Sequence, residues 1–367
     1  MVDSVTFNIF SGVSDPRVDR RKYHELKDIL IIAICSVICG GNGWKDMKIF
    51  GDCKEDWLKT FLDLKNGIPS VDTFRRVISA INPDEFEDHF RGWVSSIATR
   101  CSEVIAIDGK TVRGSRNDSS GQSALHIVSA WACESQMVFG QIATFEKSNE
   151  ITAIPKLLDS IALKGCTVTI DAMGCQKKIA EKILECDADY ILAVKGNQKI
   201  LDSDLRFFMD DLIARDACPF DTQSNGGYGR VEKRTVWYTN DVAWFLEKNK
   251  WKGLSGFAVV ESERSVKGVT SIERRYYITS LGESNAREIG NKIRQHWGVE
   301  NKLHWCLDVT FNEDHCTIRD TCGAQNMSLL RKVALNLMKT DKMKESIRGK
   351  TLKACLDTRF LATLLGI

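Results

Sequence analysis

The stretch EVIAIDGK, residues 103–110, is where the pattern of the chain changes from helical to strand-like. Four apolar residues lead into Asp108, and a short uninterrupted apolar run of this kind is typical of a buried strand. ALHIVSAWACE (124–134) and MVFGQIATF (137–145) have the same character, and only two residues separate them. We therefore predict three consecutive strands, the last two joined by a short turn.

Helices and strands alternate after this meander. Residues 150–163 and 176–186 are predicted helices, while TVTIDA (167–172) and YILAVK (190–195) are predicted strands. The order β-β-β-α-β-α-β favours an α/β fold with a mixed sheet, because the alternating part forms parallel pairs and the opening meander is antiparallel. This is the order of the ribonuclease H-like fold, in which the first and fourth strands lie side by side.

Residues 200–282 interrupt the alternation and are predicted to be a β-rich insertion. The strand-like stretches there are RTVWYT (234–239), FAVVESER (257–264) and RRYYITSL (274–281), with a glycine-rich turn at 225–230. A last helix is predicted from about residue 286 past His304. Residues 325–367 carry nine Lys or Arg and three Asp or Glu, which predicts a basic C-terminal segment.

Residues 1–98 are predicted to form an all-helical N-terminal domain, followed by the α/β domain, 99–367. A long apolar helix there ends at a run of glycines, as helices commonly do. Ser70 is predicted to cap a later helix that has an apolar face (Val71, Phe74, Val77 and Ile78) and exposed arginines at 75 and 76. These features fit either a helix-turn-helix-like DNA-binding module or a plain helical bundle.

Composition excludes several classes of protein. The chain has 367 residues, 51 basic and 49 acidic, so no overall basic excess marks it as a nucleic-acid binder. Its 13 cysteines include no CxxC pair, which argues against a zinc ribbon. The most apolar run, ILIIAICSVIC (29–39), is shorter than the about 20 residues that span a bilayer. Residues 1–15 contain no Lys or Arg and no long apolar core, so we do not expect a signal peptide there. We therefore expect a cytoplasmic protein with no membrane contact.

Two aspartates occupy matching places in the predicted sheet. Asp108 follows VIAI and Asp171 follows VTI, and both strands are predicted to be neighbours. Either residue alone could simply begin a loop, but together they would place two carboxylates at the edge where α/β folds carry their sites. Such a pair can hold Mg²⁺ or Mn²⁺, and two ions can activate a hydroxyl and stabilise the leaving oxygen of a phosphodiester.

The last predicted helix offers a third carboxylate. In IRQHWGVENKLHWCLD (293–308), His296, Glu300 and His304 are four residues apart and share one helix face. A zinc site is the alternative, but the HExxH arrangement of zinc proteases is missing. Glu300 facing the two aspartates is the better interpretation.

With these residues in place, the chain resembles the H-repeat-associated transposases, a branch of the insertion-sequence DDE transposases. The matching stretches extend over nearly the whole length: RKYHELKDILIIAICSVICGGNGWKDM (21–47), NGIPSVDTFRRV (66–77), AIDGKTVRGS (106–115), KSNEITAIP (147–155), VTIDAMGCQKKIA (168–180), ADYILAVKGNQ (188–198), RYYITSL (275–281) and HWGVENKLHWCLDVTFNEDHC (296–316).

The resemblance implies a ribonuclease H-like catalytic domain with a DDE triad of Asp108, Asp171 and Glu300 holding two Mg²⁺ or Mn²⁺ ions. It also implies cleavage of double-stranded DNA at insertion-sequence ends, strand transfer into target DNA, and a homodimer on DNA. Further residues around the acids are predicted to bind DNA: Lys110, Arg113, Arg116, Lys195, Asn197, Gln198, Arg230, Arg294, His296, Asn301 and His304.

The chain departs from related sequences at two places. His296 stands where an arginine often precedes the third acid, and Tyr228 where a histidine often precedes Gly-Arg. His296 would replace the arginine at a DNA phosphate only if it were protonated or held in a suitable tautomer.

Several alternatives stay open from the sequence. Glu150 is either a fourth carboxylate near the metals or an acid at a helix N-terminus. Trp297 and Trp305 either pack in the core, which the pattern favours, or stack on unpaired bases. Glu313 is the first substitute to test for Glu300. An active transposase is favoured because all three acids are present; a decayed DNA-binding relative and a plain metal-dependent nuclease are the alternatives.

Overall fold

The strands of the chain form one mixed sheet of nine in the computed structural model, which describes residues 10, 12–97, 102–117, 121–144, 149–227, 230–266 and 268–367. The order across the sheet is β3-β2-β1-β4-β5-β9-β8-β7-β6. The strands are β1 Val104–Val112, β2 Leu125–Ala132, β3 Met137–Thr144, β4 Thr167–Ile170, β5 Asp189–Val194, β6 Phe220–Gly227, β7 Arg230–Thr239, β8 Gly256–Val266 and β9 Val269–Thr279.

The first five strands have the predicted order and neighbours. β1 pairs with β4 and β4 with β5 in parallel, while β2 and β3 run antiparallel beside β1. Helices α6 (Glu150–Ser160) and α7 (Lys177–Glu185) form the two crossovers. The first and fourth strands are therefore adjacent, as the sequence pattern predicts.

The segment predicted as an insertion differs from expectation in two ways. It begins with a helix, α8 (Lys199–Ala214), whose buried residues Leu201, Leu205 and Met209 recur every four positions. Its strands do not form a separate unit, because β9 pairs antiparallel with β5 and so extends the central sheet.

The two faces of the sheet carry different layers. Ile105, Ile107 and Val128 point toward a core that includes α6, α7 and α8. Because side chains alternate along a strand, Val104 and Ala106 point the other way, into a core shared with the N-terminal and C-terminal helices. Asp108 has the parity of Ala106 and therefore faces this second layer.

The N-terminal helices are built around α1 (Leu26–Ile38), which is buried over almost its whole length. Ser70 caps α4 (Val71–Ala80) as predicted, accepting the Thr73 N–H at 3.1 Å, and Arg75 and Arg76 are exposed and pair with Asp72. Val71, predicted on the apolar face, is instead 39% exposed. The helices are α1 Leu26–Ile38, α2 Trp44–Cys53, α3 Glu55–Leu58, α4 Val71–Ala80 and α5 Pro83–Ile97.

Much of the basic C-terminal segment is folded into the core. Helix α11 (Thr321–Thr340) is a central core element that packs against α1, α4 and β3. Arg331, Lys332 and Lys350 are at most 3% exposed: Arg331 lies 3.9 Å from Glu313, and the two lysines donate hydrogen bonds inside the protein. Helices α12 (Ile347–Leu356) and α13 (Thr358–Leu365) complete this layer.

The N-terminal helices, predicted as a separate domain up to residue 98, pack directly against the C-terminal helices. Residues of α1, α4 and α5 share one core with α11, so removing the N-terminal helices would expose that core. The proposed boundary itself falls at residues outside the described part of the chain. No helix among the described residues is long and apolar enough to cross a membrane.

Candidate active site

Asp108, Asp171 and Glu300 line one cavity of about 180 Å³. The register explains how the first two meet: Ile107 pairs with Ile170, so the aspartate after each lies at the same level of the sheet. Asp108 lies within its strand rather than at the end, because β1 continues to Val112 beside β2. It lies where the shorter strand β4 stops, which opens the space for its side chain.

Backbone N–H groups orient both aspartates. Asp108 Oδ1 accepts the Gly109 N–H at 2.9 Å. Asp171 Oδ1 accepts the N–H groups of Met173 at 3.0 Å and Gly174 at 3.4 Å, which makes Asp171 the cap of a short 3₁₀ turn, Ala172–Gly174. One oxygen of each carboxylate is thus held by the backbone.

Glu300 is carried by a π-helical segment, Val299–His304, between α9 (Ala286–His296) and α10 (Trp305–Val309). The helix predicted to be continuous therefore contains a π-helical turn at Glu300. Such turns are frequent at functional sites. His296, Glu300 and His304 still face the same region, as their spacing predicts.

The electrostatics of the cavity favour a cation. Burial raises the pKa of Asp108 to about 7, and the Asp171 and Glu300 carboxylates add to this rise. Among the described residues, no Lys or Arg lies within ion-pair distance of any of the three acids. Carboxylate oxygens without a basic partner are the donor set that hard divalent cations require.

The residues therefore fit a divalent cation in chemistry and charge. In the described part of the chain, no three acidic, histidine or cysteine side chains are already close enough together to hold one ion. The carboxylates would have to draw together around the ion, as mutually repelling groups do once their charge is neutralised.

We predict that Asp108→Asn stabilises the metal-free protein more at pH 7.5 than at pH 5. The folded state keeps the Asp108 proton up to about pH 7, whereas the unfolded chain loses it near 3.8, so wild-type stability falls as pH rises between these values. The variant lacks this loss. Its free energy of unfolding relative to wild type should therefore be higher at pH 7.5 than at pH 5 by about 2 kcal/mol or more, since one pKa unit is worth about 1.4 kcal/mol. Urea denaturation in EDTA measures it, with the exposed Glu185→Gln as control; a difference that does not change with pH would contradict the prediction.

Two histidines predicted to contact DNA are partly buried beside the acids. Thr169 Oγ1 lies 2.9 Å from His296 Nδ1, and burial lowers the pKa of His296 to about 4. His304 Nδ1 lies 3.6 Å from Asp108 Oδ2, and burial lowers the pKa of His304 to about 3. Both imidazoles are neutral near pH 7, so His296 does not supply the positive charge of the arginine it replaces.

Lys110, also predicted to contact DNA, faces a cluster of acids instead. Its Nζ lies 2.7 Å from Asp308, 2.8 Å from Asp314 and 3.2 Å from Glu313, and only 10% of its side chain is exposed. The ammonium group thus joins β1 to the segment after the acid-bearing helix, which disfavours a role at a DNA phosphate.

The remaining predicted DNA contacts have varied positions. Arg113 and Arg116 are exposed on the turn after β1, and Lys195 is exposed at the rim of the acid cavity. Arg294 and Asn301 line an adjoining groove. Asn197 and Gln198 donate hydrogen bonds to backbone carbonyls at the turn after Asp171. The side chain of Arg230 lies outside the described atoms.

The adjoining groove contains residues that the sequence pattern did not single out. It has a volume of about 960 Å³, opens beside Glu300 and Trp297, and runs along β7, β8 and β9. The Arg275 guanidinium lies 4.5 Å from the centre of the Trp297 ring. The basic side chains along it are Arg234, Arg264, Arg275, Arg294 and Lys302. Strand alternation could have placed Arg275 and Tyr277 on one face, but not against Trp297.

The structure bears on the roles that the sequence left open for Glu150, Glu313 and Trp305. Glu150 is buried on the far face of the sheet, where its Oε1 lies 2.6 Å from His126 Nε2 and occupies the place that a side chain at Gly109 would take. Glu313 is buried against basic groups, so it is a poor substitute for Glu300. Trp305, expected in the core, is 59% exposed.

Comparisons with known proteins cover most of the chain. The family described as Transposase DDE domain matches residues 99–337, and DDE_Tnp_1-associated matches residues 7–94. The chain is 41% identical to "H repeat-associated putative transposase YhhI" of Escherichia coli K12, over 97% of this chain and 96% of the relative. It is 41% identical to YncI of Escherichia coli O157:H7, over 97% and 93%. A solved piggyBac transposase synaptic complex with hairpin DNA aligns at 10% identity and a TM-score of 0.48, over 100% of this chain and 77% of that one.

Proposed function

Because the chain belongs to the H repeat-associated DDE transposase family, we propose that it cleaves DNA at the ends of an insertion sequence and joins those ends to target DNA. The observation that carries the proposal is the cavity lined by Asp108, Asp171 and Glu300. These acids come from three separate elements of a ribonuclease H-like arrangement of strands, and no basic residue among those described neutralises them.

The three carboxylates would hold two Mg²⁺ or Mn²⁺ ions. Bound ions would supply Lewis-acid stabilisation of the phosphodiester and lower the pKa of the attacking hydroxyl. The protein's own part is to orient the ligands: backbone N–H groups fix one oxygen of each aspartate, and the π-helical turn aims Glu300 at them. His304 lies beside the second oxygen of Asp108 as a neutral neighbour.

The groove beside Glu300 is the proposed path of the DNA. Arg264, Arg294 and Lys302 are exposed there and make no ion pair with an acid among the described residues. Arg234 and Arg275 pair with Glu232 and Glu273, so their charge is partly compensated. The uncompensated cations lead directly to the acid cavity, where a phosphodiester would be cleaved.

We predict that Arg264→Gln, Arg294→Gln and Lys302→Gln together weaken DNA binding and make it less sensitive to salt. Each lost phosphate contact should reduce the slope of log affinity against log salt by about 0.9. Fluorescence anisotropy with a duplex over a range of salt concentrations measures the slope. Three exposed basic residues outside the groove, Lys164, Lys178 and Arg359, are the control set. An unchanged slope in the groove variant would place the DNA elsewhere.

The N-terminal helices are proposed to recognise the element ends. Arg75 and Arg76 are exposed on α4, 58% and 67% respectively. Their substitution by Gln tests this better than a deletion, because deletion would expose the shared core. We further propose a homodimer on paired ends and a cytoplasmic location at the bacterial nucleoid, where the DNA substrate lies.

The test of the function is an assay of both chemical steps. Purified protein is incubated with Mg²⁺, target plasmid and duplexes taken from the DNA flanking its gene. Cleavage at the ends followed by joining to the plasmid is the expected result. Cleavage without joining would favour a plain nuclease, and selective binding without cleavage a decayed DNA-binding relative.

A further inference from the structure

We infer that Asn197 and Gln198 are positioning residues that hold the turn carrying Asp171, rather than the DNA contacts that their place in the sequence suggests. The inference rests on the proposed function, because it assigns a role to Asp171 as a metal ligand. It is carried by the hydrogen bonds between two turns at one edge of the sheet.

The two turns follow neighbouring strands. The turn Ala172–Gly174 comes after β4 and the turn Gly196–Gln198 comes after β5, and these strands pair in parallel. Their carboxyl ends therefore meet at the edge where Asp171 lies. The second turn is fixed at its base by the buried Val194.

Side-chain amides of the second turn bind carbonyls of the first. Asn197 Nδ2 donates to the Ala172 carbonyl at 2.6 Å, and Gln198 Nε2 donates to the Cys175 carbonyl at 2.9 Å. The same segment uses its N–H groups on the other side, where Met173 and Gly174 donate to Asp171 Oδ1. The segment thus connects the amides to the carboxylate, and its position decides where the carboxylate points.

Packing leaves this segment little freedom to adjust. Cys175 is fully buried, and a side chain at Gly174 would come within 2.2 Å of Ile170. Small shifts of the turn would therefore move the N–H groups that hold Asp171 rather than be absorbed locally. Groups that orient metal ligands in this way typically change metal affinity or activity by about 10- to 100-fold when removed.

The hydrogen-bond inventory also disfavours a phosphate contact by Gln198. Its Nε2 donates to Cys175 and, at 3.3 Å, to Gln176 Oε1, so both of its N–H groups are used. Its remaining polar atom is a carbonyl oxygen, which accepts hydrogen bonds, as phosphate oxygens do. Lys195, exposed at the same strand end, stays the candidate cation.

The test uses the full chain with Asn197→Leu and Gln198→Met, singly and together, substitutions that keep approximate shape and remove the donors. Three quantities are measured: Mn²⁺ binding to DNA-free protein by electron paramagnetic resonance, duplex affinity against salt in Ca²⁺, and the single-turnover cleavage rate at saturating DNA. Asp171→Asn is the reference for a lost ligand. Lys199→Gln, an exposed residue directly after the turn, is the matched control.

We expect Mn²⁺ affinity and the cleavage rate of the double variant to fall about 10- to 100-fold, while duplex affinity and salt slope stay as in wild type. Weaker duplex binding with a shallower slope and normal Mn²⁺ binding would overturn the inference in favour of DNA contacts. Unchanged values throughout would also overturn it. If wild type cleaves no DNA but Mn²⁺ affinity still falls in the variants, the proposed function fails and the positioning role stands. Should the double variant unfold, the single variants decide.

Discussion

Asp108→Asn, Asp171→Asn and Glu300→Gln are each expected to reduce DNA cleavage by about 1000-fold or more, which corresponds to about 4 kcal/mol of transition-state stabilisation. The reason is that all three carboxylates line one cavity and each supplies charge that the proposed metal ions need. Single-turnover cleavage of a labelled end duplex in Mg²⁺ measures the effect.

DNA binding by the same three variants should be retained, because the acids repel phosphate in the absence of metal. Glu288→Gln is the control, since Glu288 lies on α9, the helix before the segment that carries Glu300, is exposed and does not line the cavity. Near-normal cleavage by any one of the three variants would remove that residue from the triad.

Glu313→Gln is expected to lower the free energy of unfolding by about 3–5 kcal/mol, since breaking a buried ion pair leaves an unpaired charge. Burial alone would raise the pKa of Glu313, but the Lys332, Lys110 and Arg331 cations hold it near 2. Arg331 is 1% exposed and its nearest guanidinium nitrogen lies 3.9 Å from Glu313. Without the carboxylate, several buried cations would lose their counter-charge. Urea denaturation measures the loss.

Asp314→Asn is the control for this prediction. Asp314 neighbours Glu313 and also contacts Lys110, but it is 20% exposed, and its loss leaves Lys110 with Asp308 and Glu313. A small effect is expected, since partly exposed pairs contribute about 0–1 kcal/mol. Equal destabilisation by the two substitutions would show that the Glu313 carboxylate has no special role in the core.

The central strands could be predicted because local pattern decides them. The apolar runs before Asp108 and Asp171 are short, and predicted strands and a helix lie between them in sequence. This order of elements allows few arrangements of the sheet. Helix α8 is not predicted although Leu201, Leu205 and Met209 recur every four residues, because the stretch that follows has the pattern of strands and turns. β9 joins the sheet by pairing with β5, for example Thr279 with Ile191. These residues are far apart in sequence, so no local pattern predicts the pairing.

In the candidate site too, local signals predict some residues, whereas the surroundings of others depend on distant parts of the chain. The acids could be found because each follows an apolar strand or lies on a helix face, which are local signals. The surroundings of Lys110 could not, because its partner Asp314 is 204 residues away in sequence. Composition likewise records the charge of Arg331 and Lys332 but not their burial, with Arg331 3.9 Å from Glu313 and Lys332 bonded to Gln141 and Ser328.

The proposed function requires that Asp108, Asp171 and Glu300 hold divalent cations together. Anomalous scattering from a crystal of the protein with Mn²⁺ and an end duplex tests this most directly. We expect manganese peaks within about 2.5 Å of carboxylate oxygens of all three residues, and the loss of these peaks in Asp108→Asn. Manganese bound elsewhere, or no peak at the three acids in crystals whose DNA is cleaved, would contradict it.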